Sequence, residues 1–177
     1  MTVIRYHIVV LLLLLLPLSC SGASVYRSVG DCKIALPESW VAVRDVFGIK
    51  ACTMFTANPT AFPWNGIMID PVRIPRVEET QDEEENEVLD GIMYSLSKSP
   101  GYTVLDRSDT SLGGVNGKSV TLRFGKKGYS KFVRICASAF IVHDRAYIIM
   151  CGCDDAAFTQ NIPAFARALS TVRFTGN

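Results

Sequence analysis

The segment 129–142 reads YSKFVRICASAFIV and the segment 146–153 reads AYIIMCGC, with the polar tripeptide His143-Asp144-Arg145 between them. Both segments are rich in β-branched and aromatic residues, and polar residues between two such runs are typical of a turn. Together they predict one long β-hairpin. Because this hairpin is the longest β pattern in the chain, it indicates a fold built on an antiparallel sheet.

Shorter runs nearer the N-terminus predict further strands. Residues 32–36 alternate between the two faces and stop at Pro37, so we expect a strand there, with 40–43 as its return strand. Two more strands are expected at 50–57 and at 66–70, and Pro71 is expected to end the second of these.

The middle of the chain predicts three strand segments, at 102–106, 109–112 and 118–124. Two glycine-containing pairs are expected to be turns. Gly113-Gly114 provides the conformational freedom of a turn, and Asn116-Gly117 is a strong two-residue hairpin signal.

Two helices are also predicted. Thr80-Gln81-Asp82-Glu83 has the spacing of a capping box, so a helix is expected to begin there and to end at Pro100-Gly101. The apolar face of this helix comprises Val88, Leu89, Ile92, Met93 and Leu96. A second helix, capped by Asp154 or Asp155, closes the chain, and its apolar face comprises Phe158, Ile162, Phe165 and Leu169. Two helices packed on many antiparallel strands predict an α+β layer sandwich.

Composition excludes several classes of protein. The chain has 177 residues, of which 49% are hydrophobic, and carries 18 Lys+Arg against 17 Asp+Glu. This near-neutral balance argues against nucleic acid as a partner, and the hydrophobic content excludes a disordered chain. The length predicts a single domain.

The N-terminal residues predict a secretory signal. One cation, Arg5, precedes the apolar run 8–16, which contains six consecutive leucines and would span about 14 Å as a helix. That is half of a bilayer core, so an uncleaved membrane anchor is the weaker alternative. Either 1–23 is removed after Ala23, or 1–19 is removed and Cys20 is lipidated. We favour the lipoprotein because Cys20 lies where the apolar run ends, and we expect the mature domain, 24–177, on the extracytoplasmic side of the membrane.

The chain resembles the PsbP-like proteins and the extracytoplasmic bacterial lipoproteins related to them, such as DcrB. The segment 30–40, GDCKIALPESW, is similar to the opening motif of that family. The later segments 111–118, 146–149, 158–165 and 169–174 agree with the family in order and spacing. The resemblance implies an α-β-α sandwich around an antiparallel sheet of about six strands. It also implies non-enzymatic roles, as accessory subunits, adaptors or envelope lipoproteins. The chain departs from the family at Cys32 and at Cys151-Gly152-Cys153.

Five cysteines remain in the mature domain, and their compartment permits disulfides. A two-residue turn at Asp144-Arg145 would place Cys136 opposite Cys153, and Cys32 would reach Cys52 if their strands are neighbours. We therefore predict these two disulfides and leave Cys151 as a free thiol.

Other chemistries for the cysteines are weaker. Cys151 and Cys153 share one strand face, but one intervening residue is not the spacing of a thioredoxin-like motif. A zinc site would need His143 and Cys136 as well. We therefore predict no metal and no cofactor.

Two surface features are candidate interaction sites. The acidic residues Asp82, Glu83, Glu84 and Glu85 begin the first helix, where the helix dipole favours solvated carboxylates. The alternatives are a docking surface for a basic partner and a weak divalent-cation site. Phe62 and Trp64 lie in a loop with Pro59 and Pro63, and this loop is either an exposed contact site or a cover over the edge of the core.

No catalytic motif occurs in the chain. His143 lies beside Asp144 in a predicted turn, where a surface histidine is far more common than an acid–base pair. We therefore expect a non-enzymatic, lipid-anchored protein that acts through protein contacts at a membrane surface. The alternative is a small-ligand or metal-binding periplasmic protein.

Overall fold

The described chain consists of ten β-strands and two α-helices, and apolar residues alternate along several of the strands. The computed structural model describes residues 23–44, 52–60, 62–73 and 80–175. The strands within these ranges are β1 Ser24–Val29, β2 Cys32–Pro37, β3 Val41–Arg44, β4 Thr53–Thr56, β5 Gly66–Arg73, β6 Thr103–Leu112, β7 Val115–Gly125, β8 Phe132–Val142, β9 Arg145–Asp154 and β10 Arg173–Phe174. The helices are α1 Gln81–Leu96 and α2 Phe158–Leu169, with a 3-10 turn at Asp155–Ala157.

The described strands form two antiparallel sheets. Seven strands make a large sheet in the order β3-β4-β5-β9-β8-β7-β6, and three make a small sheet in the order β1-β2-β10. One apolar cluster unites the small sheet and α2 with one face of the large sheet, and a second unites α1 with the other face. The predicted α+β sandwich is confirmed, with seven strands in the large sheet where about six were expected.

The long hairpin forms as predicted, but its turn lies one residue earlier. Val142 pairs with Arg145, so the turn residues are His143 and Asp144, and His143 adopts a φ of 58°. This register pairs Cys136 with Cys151 and Arg134 with Cys153. The expected pairing of Cys136 with Cys153 is therefore wrong.

The early strands differ from expectation in their partners. Residues 41–44 do not return along β2; β3 pairs with β4 at the edge of the large sheet. Pro71 does not end β5, which continues to Arg73. Proline has no N–H to donate to a neighbouring strand. Among the described residues, the pairing of β5 with β4 extends only to Ile69, so no β4 residue lies opposite Pro71. On the other side of β5, Pro71 pairs with Tyr147.

The expected turn at Asn116-Gly117 is wrong, whereas the turn at Gly113-Gly114 forms. Asn116 and Gly117 lie within β7. A Cβ at residue 117 would clash with the Ala139 carbonyl oxygen and lie 2.6 Å from Cδ1 of Phe140, so the glycine allows β8 to approach closely and does not form a turn.

Both helices form, but α1 ends at Leu96 rather than at Pro100-Gly101, and Asp154 caps the 3-10 turn that precedes α2. Thr80 and Glu83 form the predicted capping box of α1, and Leu89 is fully buried against the sheet. In α2, Phe158 and Phe165 are buried as expected, whereas Ile162 is 47% exposed. Strands β1 and β10 were not predicted, because β1 is half exposed and β10 has two residues.

Candidate functional site

The cysteines lie in or against the apolar interior, and two of them, Cys136 and Cys151, also line a cavity. Cys32, Cys151 and Cys153 are at most 3% exposed in the cluster on the α2 side, and Cys136 packs against it. Cys52 belongs to the cluster on the α1 side. The predicted Cys32–Cys52 disulfide is wrong, because the two residues belong to clusters on opposite faces of the large sheet. No disulfide occurs between cysteines in the part of the chain that the structure describes.

Burial also changes the acidity of these thiols. Desolvation raises the pKa of Cys32 to about 12, and burial raises the pKa of Cys151 and of Cys153. A thiol that stays protonated is a poor nucleophile and a poor metal ligand. Among the described residues, no group of three His, Cys, Asp or Glu side chains is arranged to hold a metal ion.

Three of the four acidic residues at the start of α1 have hydrogen-bond or ion-pair partners within the protein, although Asp82 and Glu83 are exposed. The Asp82 carboxylate pairs with Lys118 Nζ at 2.5 Å, and Glu83 accepts a hydrogen bond from the Thr80 backbone N–H at 2.9 Å. Glu85 is 3% exposed and accepts a hydrogen bond from Gln81 Nε2 at 2.8 Å. The expectation of a solvated first turn is therefore wrong for Glu85, and Glu84 is half-buried.

The aromatic loop covers the core instead of projecting from it. Trp64 is 6% exposed, and a Cβ at Gly152 would lie 2.7 Å from its Cη2, so the indole packs directly on β9. The Phe62 and Tyr129 ring centroids are 4.8 Å apart, and Lys126 Nζ lies 4.9 Å and 4.7 Å from them. Of the two interpretations of this loop, the structure supports the cover for Trp64.

The loop closes one side of a cavity of about 610 Å³ on the α1 face of the large sheet, which we call the Asp70 cavity. Such a volume is typical of sites for small molecules. Its lining is mostly apolar and comes from the aromatic loop, the end of α1, the turn after β7 and strands β5, β8 and β9. The lining residues are Phe62, Trp64, Met68, Asp70, Ile92, Ser95, Leu96, Lys98, Ser99, Pro100, Phe124, Gly125, Lys126, Lys127, Ile135, Ile148 and Met150.

Asp70 is the only acidic residue among the described residues that line this cavity. It lies on β5 opposite Ile148, and period-two alternation places it on the same face as Met68. It is 6% exposed, and no hydrogen bond or ion pair reaches its carboxyl group from the described residues. Desolvation raises the pKa of Asp70. No buried side-chain oxygen among the described residues lacks a partner, so the Asp70 oxygens are accessible at the cavity, where a ligand could supply the hydrogen bonds that the protein does not.

The rim of the cavity carries positive charge. Lys98, Lys126 and Lys127 are exposed lining residues, and none of them forms an ion pair with another residue in the described ranges. The site therefore combines apolar walls, one buried acid and a basic rim.

A second cavity, of about 270 Å³, lies between α2 and the other face of the large sheet. Two of its polar side chains have partners: Ser138 Oγ lies 3.2 Å from Ser119 Oγ, which lies 3.3 Å from Cys136 Sγ. No charged residue occurs among the described residues that line this cavity, so it has no counterpart of Asp70.

Sequence reasoning did not select Asp70. The pattern that would have found it is a single carboxylate in the apolar run 66–70, GIMID, at a position whose alternation points to the core. His143, by contrast, is an exposed turn residue, as expected.

Comparisons with known proteins identify the fold. No protein-family model matches the sequence, and no curated protein matches it either. A solved structure that resembles it is "Cyanobacterial PsbP (CyanoP) from Synechocystis sp. PCC 6803", with a TM-score of 0.60 and 11% identity, over 88% of this chain and 97% of that one. The fold is PsbP-like.

Two further structures share this fold. PA94 from Pseudomonas aeruginosa, described as a putative regulator, has a TM-score of 0.58 and 13% identity over 88% of this chain and all of that one. LpqN of Mycobacterium tuberculosis, described as involved in cell envelope biogenesis, has a TM-score of 0.56 and 13% identity, covering 86% and 91% of the two chains. At these identities the PsbP-like likeness concerns the fold alone.

The predicted signal residues and Cys20 lie outside the described residues. Within the described part of the PsbP-like chain, no helix is long and apolar enough to cross a membrane.

Proposed function

We propose that this PsbP-like protein is a non-catalytic binding protein that holds a small, largely apolar ligand in the Asp70 cavity. The observation that carries this proposal is the unpartnered Asp70 carboxyl group, 6% exposed, on the wall of a 610 Å³ apolar cavity. Of the two functions that the sequence suggests, this favours the small-ligand protein over the adaptor.

The composition of the lining supports binding without catalysis. Among the described residues of the lining there is no histidine and no cysteine, and no hydrogen bond joins Asp70 to Ser95 or Ser99, so no nucleophile is paired with a base there. Apolar walls with a few convergent polar groups are typical of sites that bind and orient a small molecule.

We propose further that the protein acts at the extracytoplasmic membrane surface through a lipid on Cys20, as the related lipoproteins do. The apolar run 8–16 followed by Cys20 supports this placement, as does the involvement of LpqN in cell envelope biogenesis. The intact mass of the processed protein tests it. A lipid-modified chain that begins at Cys20 is expected, whereas an unmodified chain that begins at Ser24 would contradict the anchor.

Ligand binding is testable with the uncharged fluorophore N-phenyl-1-naphthylamine, whose emission rises in apolar sites. We expect saturable binding to the purified protein, and we expect Ser95→Phe to weaken it at least about tenfold by filling the cavity. Ser95 is exposed and lines the cavity, and its hydroxyl donates to the Ile92 carbonyl oxygen at 2.8 Å.

Ser97→Phe is the matched control. Ser97 is exposed, donates to the Tyr94 carbonyl oxygen at 2.8 Å, and does not line the cavity. Binding should survive in this variant. Absence of saturable binding to the wild-type protein, or equal loss in both variants, would overturn the proposal.

The adaptor function remains a second candidate because an aromatic and basic patch flanks the cavity. Tyr129 is 52% exposed, contacts Phe62, and lies under Lys126. Aromatic residues next to a basic side chain are common at protein interfaces. If this function operates, a protein that co-purifies from native membranes with the wild type should be lost with Tyr129→Ser and retained with Tyr26→Ser, a substitution at an exposed tyrosine on β1.

A further inference from the structure

We propose that the ligand of the Asp70 cavity is an apolar molecule with an amino group at its buried end and an acidic group at its outer end. This inference rests on the proposed function and adds the chemical class of the ligand. The amino group would pair with Asp70, and the acidic group would meet the lysines at the rim.

Asp70 determines which chemical group the ligand carries at its buried end. Asp70 is 6% exposed and has no partner among the described residues, and its carboxyl oxygens keep some access to water at the cavity that the residue lines. A ligand that fills the cavity displaces this water, which is costly unless the ligand supplies hydrogen bonds in its place. Hydrogen-bond donors relieve that cost, and a protonated amine relieves it most because the bond is then assisted by opposite charges. A ligand whose apolar end faced Asp70 would leave the cost in place.

The lysines at the rim determine which chemical group the ligand carries at its outer end. Lys98, Lys126 and Lys127 are exposed, and together they make the mouth positive, so a purely cationic amphiphile would be repelled there. An acidic group at the outer end converts this repulsion into attraction. These three lysines and Asp70 are the only charged residues among the described residues of the lining.

The walls and the volume specify the body of the ligand. The remaining lining is dominated by aromatic and aliphatic side chains such as Phe62, Trp64 and Ile148. The volume of the cavity, 610 Å³, is about twenty times the volume that one water molecule occupies in liquid water. A chain of about a dozen methylene groups fits within this volume.

Three probes that differ only in their end groups test the inference: 12-aminododecanoate, dodecanoate and dodecylamine, titrated calorimetrically at pH 7. We expect 12-aminododecanoate to bind at least about tenfold more tightly than dodecanoate, because only the former supplies a charge-assisted bond to Asp70. It should bind about threefold more tightly than dodecylamine, since contacts with exposed lysines are weaker.

Substitutions test whether Asp70 causes the preference for the amino group and whether the rim lysines cause the preference for the acidic group. Asp70→Asn should abolish the preference for the amine, with Asp106→Asn, an exposed acid on β6, as its control. The triple change Lys98→Gln, Lys126→Gln and Lys127→Gln should abolish the preference for the acid, with Lys33→Gln on β2 as its control.

The wild-type titrations alone decide the matter if a variant does not fold. Should 12-aminododecanoate bind no better than dodecanoate to a protein that does bind N-phenyl-1-naphthylamine, the amino-group inference is wrong and the proposed function stands. Should the protein bind none of the four compounds, the proposed function itself is wrong. A folded Asp70→Asn variant that keeps the amine preference would also overturn the inference.

Discussion

Gly152 lies directly beneath the indole of Trp64, and a Cβ at residue 152 would approach Trp64 Cη2 to 2.7 Å and Ile135 Cγ2 to 2.8 Å. The indole approaches β9 this closely because the strand lacks a side chain at Gly152. This contact fixes the position of the aromatic loop and, with it, one wall of the Asp70 cavity.

Gly152→Ala is therefore expected to destabilise the protein by about 1–3 kcal/mol, because the added methyl group overpacks the contact with Trp64. Urea denaturation followed by Trp fluorescence measures this change. Gly91→Ala is the matched control. Nothing lies within 4 Å of a Cβ at residue 91 in α1, so this change should stabilise the protein by about 0.5–1 kcal/mol. Equal effects of the two substitutions would contradict the packing.

Asp70 is predicted to make stability depend on pH. Burial raises its pKa above the ordinary 3.8, so the folded state is penalised when Asp70 ionises. The penalty is absent at low pH, where Asp70 is protonated in both states. It grows as pH rises from the pKa of the unfolded chain through the raised pKa of the folded protein, and it is constant above that.

Asp70→Asn should thus stabilise the ligand-free protein by about 1–3 kcal/mol at pH 7, and this advantage should vanish below about pH 4. Denaturation midpoints of both proteins across this range provide the test. Asp106→Asn, at an exposed position, should show no such pH-dependent gain. A gain from Asp70→Asn that is the same at every pH would show that titration of Asp70 is not its cause.

The elements that depend on local pattern were predictable. The capping box at Thr80, the apolar face around Leu89 and the long hairpin follow from spacings within a few residues. The partners of strands were not predictable in the same way. Strand β3 leaves β2 and joins β4 because the long-range order of the sheet decides pairing, and no local pattern encodes it.

The candidate site illustrates the same limit. Asp70 becomes conspicuous only when β5 pairs with β9 and the ends of α1 and β7 enclose its carboxyl group. Residues from six separate parts of the chain form the lining, and most of them are ordinary core residues when taken singly. The sequence features that stood out, the acidic run and the cysteines, have structural roles instead. In the acidic run, Glu83 caps α1 and Asp82 pairs with Lys118, whereas most of the cysteines pack in the apolar interior.

The capping box of α1 is predicted to contribute to stability in a pH-dependent manner. Thr80→Ala removes the side-chain oxygen that accepts from the Glu83 N–H and should cost about 1 kcal/mol at pH 7. Hydrogen bonds from Thr80 lower the pKa of Glu83, so its contribution is present above the unfolded pKa near 4.5 and is lost as pH falls through the folded value.

The cost of Thr80→Ala should therefore be smaller at pH 3 than at pH 7, as measured by denaturation at both values. Ser97→Ala, at the other end of α1, is the control, since Ser97 donates to the Tyr94 carbonyl oxygen and contacts no carboxylate. A cost that does not change with pH would exclude a hydrogen bond from the Thr80 hydroxyl to the Glu83 carboxylate.

The register of the long hairpin predicts which thiols can be joined. Cys136 and Cys151 are directly opposite on β8 and β9, where Cβ atoms are about 4.5–5.5 Å apart, a spacing close to that of a disulfide. Cys153 is opposite Arg134 and lies diagonally from Cys136, at about 7–8 Å between Cα atoms.

Oxidation of the reduced protein with copper phenanthroline, followed by non-reducing peptide mapping, should therefore recover Cys136 linked to Cys151. The Cys151→Ser variant should yield much less cross-linked Cys136 than Cys153→Ser. Preferential recovery of Cys136 linked to Cys153 would place the turn at Asp144-Arg145 and contradict the register described here.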